Sequence, residues 1–137
     1  MAAPAVFVDA THWIALLHPK DNNHHRARMI EAQLGQTMRW TTELILIEIL
    51  DYFADRGEHF RSMAVKAVAV LRIHPDVKII ALHDTPFSAA FAEFAAYRDK
   101  GWSITDCASF LTMRQRGITA VATFDSHFEQ AKFVLFR

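Results

Sequence analysis

Residues 103–128 read SITDCASFLTMRQRGITAVATFDSHF and contain a complete helix-to-strand transition. Ser103 or Thr105 can cap the start of a helix, because both side chains accept hydrogen bonds from backbone N–H groups. The Arg-Gly pair at 116–117 is a favoured helix end, with a basic residue followed by glycine. The apolar run at 119–123 then predicts a buried strand. This stretch therefore predicts one unit of an α/β fold.

The same alternation continues through the rest of the chain. Apolar runs predict further strands at 6–8, 38–41, 77–82 and 133–136. Amphipathic or capped segments predict helices at 12–17, 25–34, 43–54, 58–73, 87–97 and 126–130. We expect Thr42 to cap the helix at 43–54. We expect Thr85 to cap the helix at 87–97, with Pro86 in the first helical position.

Strands that alternate with helices favour a parallel sheet covered by helices on both faces, because each parallel connection needs a crossover. The length of 137 residues favours a single domain, residues 1–137. A composition that is 52% hydrophobic can fill the core of such a domain. No repeat or low-complexity tract divides the chain.

Four acidic residues stand where strands are predicted to end or helices to begin: Asp9, Glu48, Asp106 and Asp125. In open parallel sheets the ligand site lies beyond the carboxyl ends of the strands, so this topology allows all four to meet at one edge. Clustered carboxylates bind hard cations, and hard cations serve phosphate chemistry. The pattern therefore indicates a candidate metal site.

Each acid also has a structural explanation. Asp9 and Asp125 can cap the helices that follow them, and Asp106 can complement a helix dipole. Glu48 differs because it interrupts an apolar run, LILIEIL, where an unpaired charge is costly. Glu48 therefore needs a cation or a hydrogen-bond donor nearby.

Composition limits the classes of function. Fifteen Lys and Arg balance fifteen Asp and Glu, so nucleic acid must be met by a local patch rather than by net charge. The single cysteine, Cys107, excludes an intramolecular disulfide and fits a reducing compartment. Neither a secretory signal nor a membrane-spanning run is evident, and we expect a cytoplasmic protein.

The chain resembles the PIN-domain nucleases and, within them, the VapC-type toxins of prokaryotic toxin–antitoxin modules. The resemblance rests on FVDATHWIALL near the start, TTELILIEIL in the middle, and DKGWSITDCASFLTMRQRGI with VATFDSHFEQAKF near the end. The last two blocks are the most specific. They contain a helix start with Ser103, Thr105 and Asp106, and then Thr123-x-Asp125-x-x-Phe128 after a strand.

This resemblance implies a three-layer α/β/α sandwich with a central parallel sheet of about five strands. It also implies a metal-dependent endoribonuclease whose catalytic and metal-binding acids fall on Asp9, Glu48, Asp106 and Asp125. The expected cofactor is Mg²⁺ or Mn²⁺, which would activate a water without a dedicated histidine. Expected partners are an RNA substrate, a cognate antitoxin and a second copy of the chain. Thr11 and Thr123 are expected to orient the ligands.

Several other residues have two interpretations. Ser103 either caps its helix or contacts a metal-bound water, and Glu129 is a candidate fifth acid. His127 is either an exposed residue at a helix start or an RNA contact. Three histidines raise the question of a zinc site, although they lack cysteine partners and favour solvated surface: His18, His24 and His25. Four aromatic residues at helical spacing indicate core or a dimer interface: Phe87, Phe91, Phe94 and Tyr97.

Basic residues that can form a phosphate-facing patch are Arg26, Arg28, Arg56, Arg61, Arg98, Lys100, Arg114 and Arg116. Ordinary solvated charges are the alternative explanation for this set. At the level of function, a non-catalytic binding module with this fold and an RNA-processing nuclease that is not a toxin both stay open. An aspartyl-phosphate phosphatase would need a second Asp two positions after Asp9, where this chain has Thr11.

Overall fold

The centre of the fold is a parallel sheet whose middle strand is the first in the chain. A computed structural model describes residues 5–136. Its five strands are β1 (Ala5–Val8), β2 (Met38–Thr42), β3 (Val77–Ile80), β4 (Ala120–Ala122) and β5 (Val134–Leu135). They pair in the order β3-β2-β1-β4-β5, and every pairing is parallel. Residues 1–4 and 137, which the single-domain prediction includes, lie outside the described residues.

Seven helices connect the strands. They are α1 (Ala10–Leu17), α2 (His24–Leu34), α3 (Glu43–Phe53), α4 (Glu58–Ile73), α5 (Phe87–Ala96), α6 (Ile104–Gln115) and α7 (His127–Gln130). Helices α1 to α4 contact one another and so do α5 to α7, which gives the three-layer α/β/α arrangement expected from the sequence. No helix within residues 5–136 is long and apolar enough to cross a membrane.

Side-chain caps begin three of the seven helices within the described residues: α1, α3 and α6. The Thr42 hydroxyl accepts a hydrogen bond from the Ile45 N–H at 3.2 Å, which confirms Thr42 as the cap of α3. Ser103 and Asp106 form a reciprocal capping box at the start of α6, so Ser103 rather than Thr105 is the cap. Asp9 caps α1 by accepting from the Thr11 N–H.

The prediction for residues 77–87 was wrong in three details. The strand ends at Ile80, which pairs with Thr42, the last residue of β2, and the chain then enters a short 3₁₀ turn, Leu82–Asp84, where the Leu82 N–H donates to the Glu43 carboxylate at 2.7 Å. Thr85 does not cap α5, since its hydroxyl donates to the Ala81 carbonyl instead. Pro86 is the N-cap residue of α5 rather than its first helical residue. The remaining elements differ from their predicted bounds by only one or two residues.

Aromatic packing holds the carboxyl-terminal part of the chain on the sheet. Phe128 is fully buried and packs on Phe110, with ring centroids 5.0 Å apart. The ring centroid of Phe7, in β1, lies 6.3 Å from that of Phe128. These contacts fix α7 against the core, and α7 follows directly on the loop that leaves β4. The residues at this edge of the sheet therefore have a rigid support.

The aromatic series on α5 does not belong to the core. Its four side chains are between about half and two thirds exposed: Phe87, Phe91, Phe94 and Tyr97. Helix α5 packs against α6, with Ala90 fully buried and Glu93 paired with Arg114 of α6 at 3.2 Å. The core interpretation of this series was wrong, and a solvent-facing apolar surface remains.

Candidate active site

The acidic residues meet at the point where the sheet order reverses. The chain leaves β1 toward β2 on one side and later returns to β4 on the other, so a crevice opens beyond the carboxyl ends of β1 and β4. Asp9 directly follows β1, and its N–H donates to the Ala122 carbonyl of β4 at 3.1 Å. Asp125 lies three residues after β4 ends. The topology alone therefore brings two of the predicted acids to one crevice.

Two threonine hydroxyls hold the Asp9 carboxylate. Thr11 and Thr123 each donate to Asp9 Oδ2 at 2.9 Å, and their two oxygens lie 3.1 Å apart. The Thr123 oxygen also accepts the N–H of Asp125 at 3.0 Å. These contacts agree with the orienting role expected for the two threonines. They link the end of β1 to the loop after β4 and fix the rotamer of Asp9.

The His127 ring lies between Asp106 and Asp125. From sequence, His127 was either an exposed residue at a helix start or an RNA contact. His127 Nδ1 lies 2.8 Å from Asp106 Oδ2 and 3.2 Å from Asp125 Oδ1. His127 is half-buried, so the interpretation as an exposed helix-start residue was wrong. The signal that could have identified it is its position two residues after Asp125. There the Asp125 carboxylate accepts the His127 N–H and turns the ring toward the cluster.

Glu48 lies within the electrostatic reach of all three aspartates. Partial burial and then repulsion by Asp9, Asp106 and Asp125 raise the pKa of Glu48 to about 7. Within residues 5–136, no hydrogen bond or ion pair engages its carboxylate. Burial likewise raises the pKa of Asp9 despite the two threonine donors. Asp9, Asp106 and Asp125 are therefore close enough to Glu48 to oppose the ionisation of its carboxyl group.

Within the described residues, each of the three aspartates has one carboxylate oxygen that accepts hydrogen bonds and one that does not. Oδ2 of Asp9 takes both threonine hydroxyls, and Oδ2 of Asp106 takes the Ser103 N–H and the His127 ring. Oδ1 of Asp125 takes the His127 N–H. Among the described residues, the other oxygen of each aspartate has no donor. A divalent cation fits this donor set, because hard ions take carboxylate oxygens that are held in place but not already used.

The remaining candidates fall outside this centre or have structural roles. Ser103 serves as the cap of α6, with its hydroxyl accepting the Asp106 N–H at 3.0 Å. Glu129 is exposed. Among residues 5–136, the donor atoms that lie within 4.8 Å of one another come from Asp106, Asp125 and His127, so Asp9, Glu48 and Glu129 are all outside that tight group. Within the described residues, Glu129 instead lines a neighbouring pocket.

The three histidines raised as a zinc site form no such cluster within residues 5–136. The His18 ring packs on Phe60 with centroids 4.7 Å apart, and His24 Nδ1 lies 2.8 Å from the Ala15 carbonyl. His25 is exposed. The prediction of solvated surface therefore holds for His25 and was wrong for the other two, which are half-buried packing residues.

A pocket of about 200 Å³ opens beside Asp125. It is lined by Thr123, Asp125 and Ser126, by Glu129, by Phe124 and Phe136, and by Arg26 and Ile30 of α2. The Arg26 guanidinium lies over the Phe124 ring, 5.5 Å from its centroid. The pocket therefore places an exposed cation beside the acidic cluster.

The family model described as PIN domain matches residues 6–134. Among curated proteins, the 23S rRNA-specific endonuclease VapC20 of Mycobacterium tuberculosis is 27% identical over 129 residues, which span 94% of this chain and 95% of that protein.

Solved structures agree with the fold. A crystal structure of Mycobacterium tuberculosis VapC20, described as a sarcin-ricin loop cleaving toxin, superposes with a TM-score of 0.84 at 28% identity. The match covers 94% of this chain and 96% of that one. FitAcB from Neisseria gonorrhoeae superposes with a TM-score of 0.69 at 19% identity over 96% of each chain, a likeness of fold alone.

Proposed function

This chain belongs to the PIN-domain family, and from that premise we propose that it is a metal-dependent endoribonuclease acting as the toxin of a type II toxin–antitoxin pair. One observation supports the proposal above the others. Three aspartates are held at the switch point of the sheet, each with one oxygen left free, and a fourth carboxylate faces them. A non-catalytic module has no need of such an arrangement, because it leaves carboxylate charge uncompensated.

Asp9, Glu48, Asp106 and Asp125 are the proposed metal-binding and catalytic residues, and Mg²⁺ or Mn²⁺ is the proposed ion. When bound, the ion supplies an activated water and neutralises negative charge on the scissile phosphate. Thr11 and Thr123 orient Asp9 through their hydroxyls. The capping box holds Asp106 at the start of α6. The chain therefore contributes charge and position, as phosphodiester hydrolysis by bound metal requires.

The proposed substrate is a structured RNA. The relative VapC20 is named for 23S rRNA and described as cleaving the sarcin-ricin loop, a folded RNA element. The zero net charge of this chain argues in the same direction, since bulk electrostatic attraction to RNA is absent. Recognition then depends on local shape and on unstacked bases in a loop.

A cognate antitoxin and a second copy of this chain are the proposed protein partners. The antitoxin proposal draws on the relative described as a toxin. The homodimer proposal draws on α5, whose exposed aromatic face is an unusual surface for an unassociated chain. Sedimentation equilibrium of the purified protein and of its Phe91→Glu variant tests the dimer. The homodimer proposal requires the wild-type protein to associate and the variant to stay monomeric.

Metal removal tests the proposed function. We expect purified protein to cut a folded ribosomal RNA fragment at one or a few positions with Mg²⁺ or Mn²⁺. Excess chelator should abolish cleavage, and restored metal should recover it, because the water and the scissile phosphate have no other activating group. Gel analysis of end-labelled RNA measures the products. Cleavage that persists in chelator, or a folded, metal-loaded protein that cuts no structured RNA, would count against the nuclease.

Substitution of Arg26 tests the pocket beside Asp125. We expect Arg26→Gln to weaken RNA binding by about three- to tenfold, because one phosphate contact is lost. The slope of log K against log salt concentration should become shallower by about one unit. Fluorescence anisotropy in chelator measures binding without cleavage. Arg28→Gln on the same helix is the control, since Arg28 is exposed but does not line the pocket. Equal effects of the two variants would exclude a specific role for Arg26.

A further inference from the structure

His127 occupies a position in the acidic centre that family-based assignment of the four acids does not use. Its Nδ1 atom lies between two carboxylates, 2.8 Å from Asp106 Oδ2 and 3.2 Å from Asp125 Oδ1. Two constraints keep it there. The Asp125 carboxylate accepts the His127 backbone N–H, and the adjacent Phe128 is fully buried. The ring is therefore positioned by the fold rather than free on the surface.

The spacing of these atoms suits a shared cation. One donor atom from each of Asp106, Asp125 and His127 lies within 4.8 Å of the other two. Neighbouring ligands of an octahedral ion with bonds of about 2.1 Å are separated by about 3 Å, the edge of the octahedron. A spread of no more than 4.8 Å among the three donor atoms is compatible with that spacing.

We propose that His127 is a nitrogen ligand of the metal centre, so that this chain prefers Mn²⁺ and related transition ions to Mg²⁺. The inference depends on the proposed metal-dependent nuclease function and adds a fifth ligand to its site. Imidazole nitrogen suits first-row transition ions, whereas Mg²⁺ takes oxygen and keeps much of its water. A site made of carboxylates alone binds Mn²⁺ and Mg²⁺ with little difference in affinity. One nitrogen ligand favours Mn²⁺ over Mg²⁺.

The alternative role for His127 is that of a hydrogen-bond donor that only positions the two aspartates. The surrounding contacts make that role redundant. Asp106 Oδ2 already accepts the Ser103 N–H at 3.0 Å, and Asp125 Oδ1 already accepts the His127 backbone N–H at 3.0 Å. Both carboxylates are therefore anchored without the ring. What the ring adds is a nitrogen atom directed at the centre.

Two measurements on the metal-loaded protein test this inference without reference to RNA cleavage. The first is electron spin echo modulation of bound Mn²⁺ in wild-type protein, with and without ¹⁵N-labelled histidine. We expect a coupling to directly bound nitrogen that changes with the label and is absent from His127→Gln. The second is calorimetric titration at pH 8. We expect His127→Gln to weaken Mn²⁺ binding at least about tenfold and Mg²⁺ binding less than about threefold.

His83→Gln is the matched control, because the His83 side chain is 82% exposed and, among residues 5–136, pairs with Asp84 alone. It should leave both affinities and the nitrogen coupling unchanged. Wild-type protein that binds Mn²⁺ without any histidine coupling would overturn the role of His127 and leave the nuclease proposal standing. Wild-type protein that binds neither ion would overturn the metal-dependent function itself. The wild-type spectra test for a histidine ligand without any variant, so a folding defect in His127→Gln would affect only the assignment of that ligand to His127.

Discussion

Replacement of Asp106 by Asn should reduce RNA cleavage at least about 1000-fold, a loss of about 4 kcal/mol of transition-state stabilisation. The reason is the loss of charge at a residue that the fold holds in place. Asn has the same shape, and its amide oxygen can still accept the Ser103 N–H, so the cap of α6 survives. The position of the unengaged Asp106 oxygen is, however, then occupied by the amide NH₂ group, which carries no negative charge and does not bind a cation.

The measurement is single-turnover cleavage of the folded RNA at saturating Mn²⁺, with thermal melts of both proteins recorded in parallel. Asp55→Asn provides the control, because it makes the same chemical change away from the crevice. Asp55 is exposed in the turn after α3. It should cleave at the wild-type rate. Near-normal cleavage by a folded Asp106→Asn protein would remove Asp106 from the catalytic set.

Replacement of Glu48 by Gln should change activity and stability in opposite directions. Cleavage should fall at least about 100-fold, or by about 3 kcal/mol, because a proposed metal ligand loses its charge. The metal-free protein, in contrast, should become more stable at pH 8. Three aspartates and partial burial oppose the ionised form of Glu48, and Gln carries no charge for them to oppose.

The pH dependence of this stability difference follows from the raised pKa. Glu48 titrates near 4.5 in an unfolded chain and at about 7 in the fold, so the native state binds the proton more tightly. The contribution of Glu48 to stability therefore decreases as pH rises from about 4.5 to 7 and stays unfavourable above that range. We expect Glu48→Gln to gain about 2 kcal/mol over wild type at pH 8 and almost nothing at pH 4.5.

Urea denaturation in chelator at several pH values measures this difference. Asp51→Asn is the control on the same helix, because Asp51 is exposed and is the weakest of the charges acting on Glu48. It should alter stability and cleavage little. A Glu48→Gln protein that is less stable than wild type at pH 8 would mean that the carboxylate makes a favourable contact, in conflict with its position in the cluster.

Local sequence signals predicted the fold and the convergence of the acids because both depend on short-range patterns. A buried apolar run, a cap and a helix stop each occupy a few consecutive residues. Asp9 and Asp125 follow the runs that became β1 and β4, and parallel topology brings such positions to one edge. Glu48 was identified by its cost in an apolar run, and the fold leaves it without a donor among the described residues.

Contacts between distant parts of the chain could not be predicted in the same way. His127 meets Asp106 across 21 positions of sequence, and a histidine at a helix start does not indicate such a partner. The α5 aromatics show a complementary limit. Helical spacing of Phe87, Phe91 and Phe94 predicts a shared face, but it does not specify whether protein or solvent lies against that face.

The hydrogen bond between Asp9 and Thr123 has a consequence for the order in which the protein folds. It joins residues 114 positions apart, and the closing of so long a loop costs chain entropy before any contact compensates for it. A partly folded chain with β1, β2 and β3 in place already presents Asp9 and Glu48, but Asp106 and Asp125 arrive only when β4 docks beside β1. We therefore expect RNA-cutting competence to appear only with the last long-range pairing, so that incomplete copies of the chain are harmless to the cell that makes them.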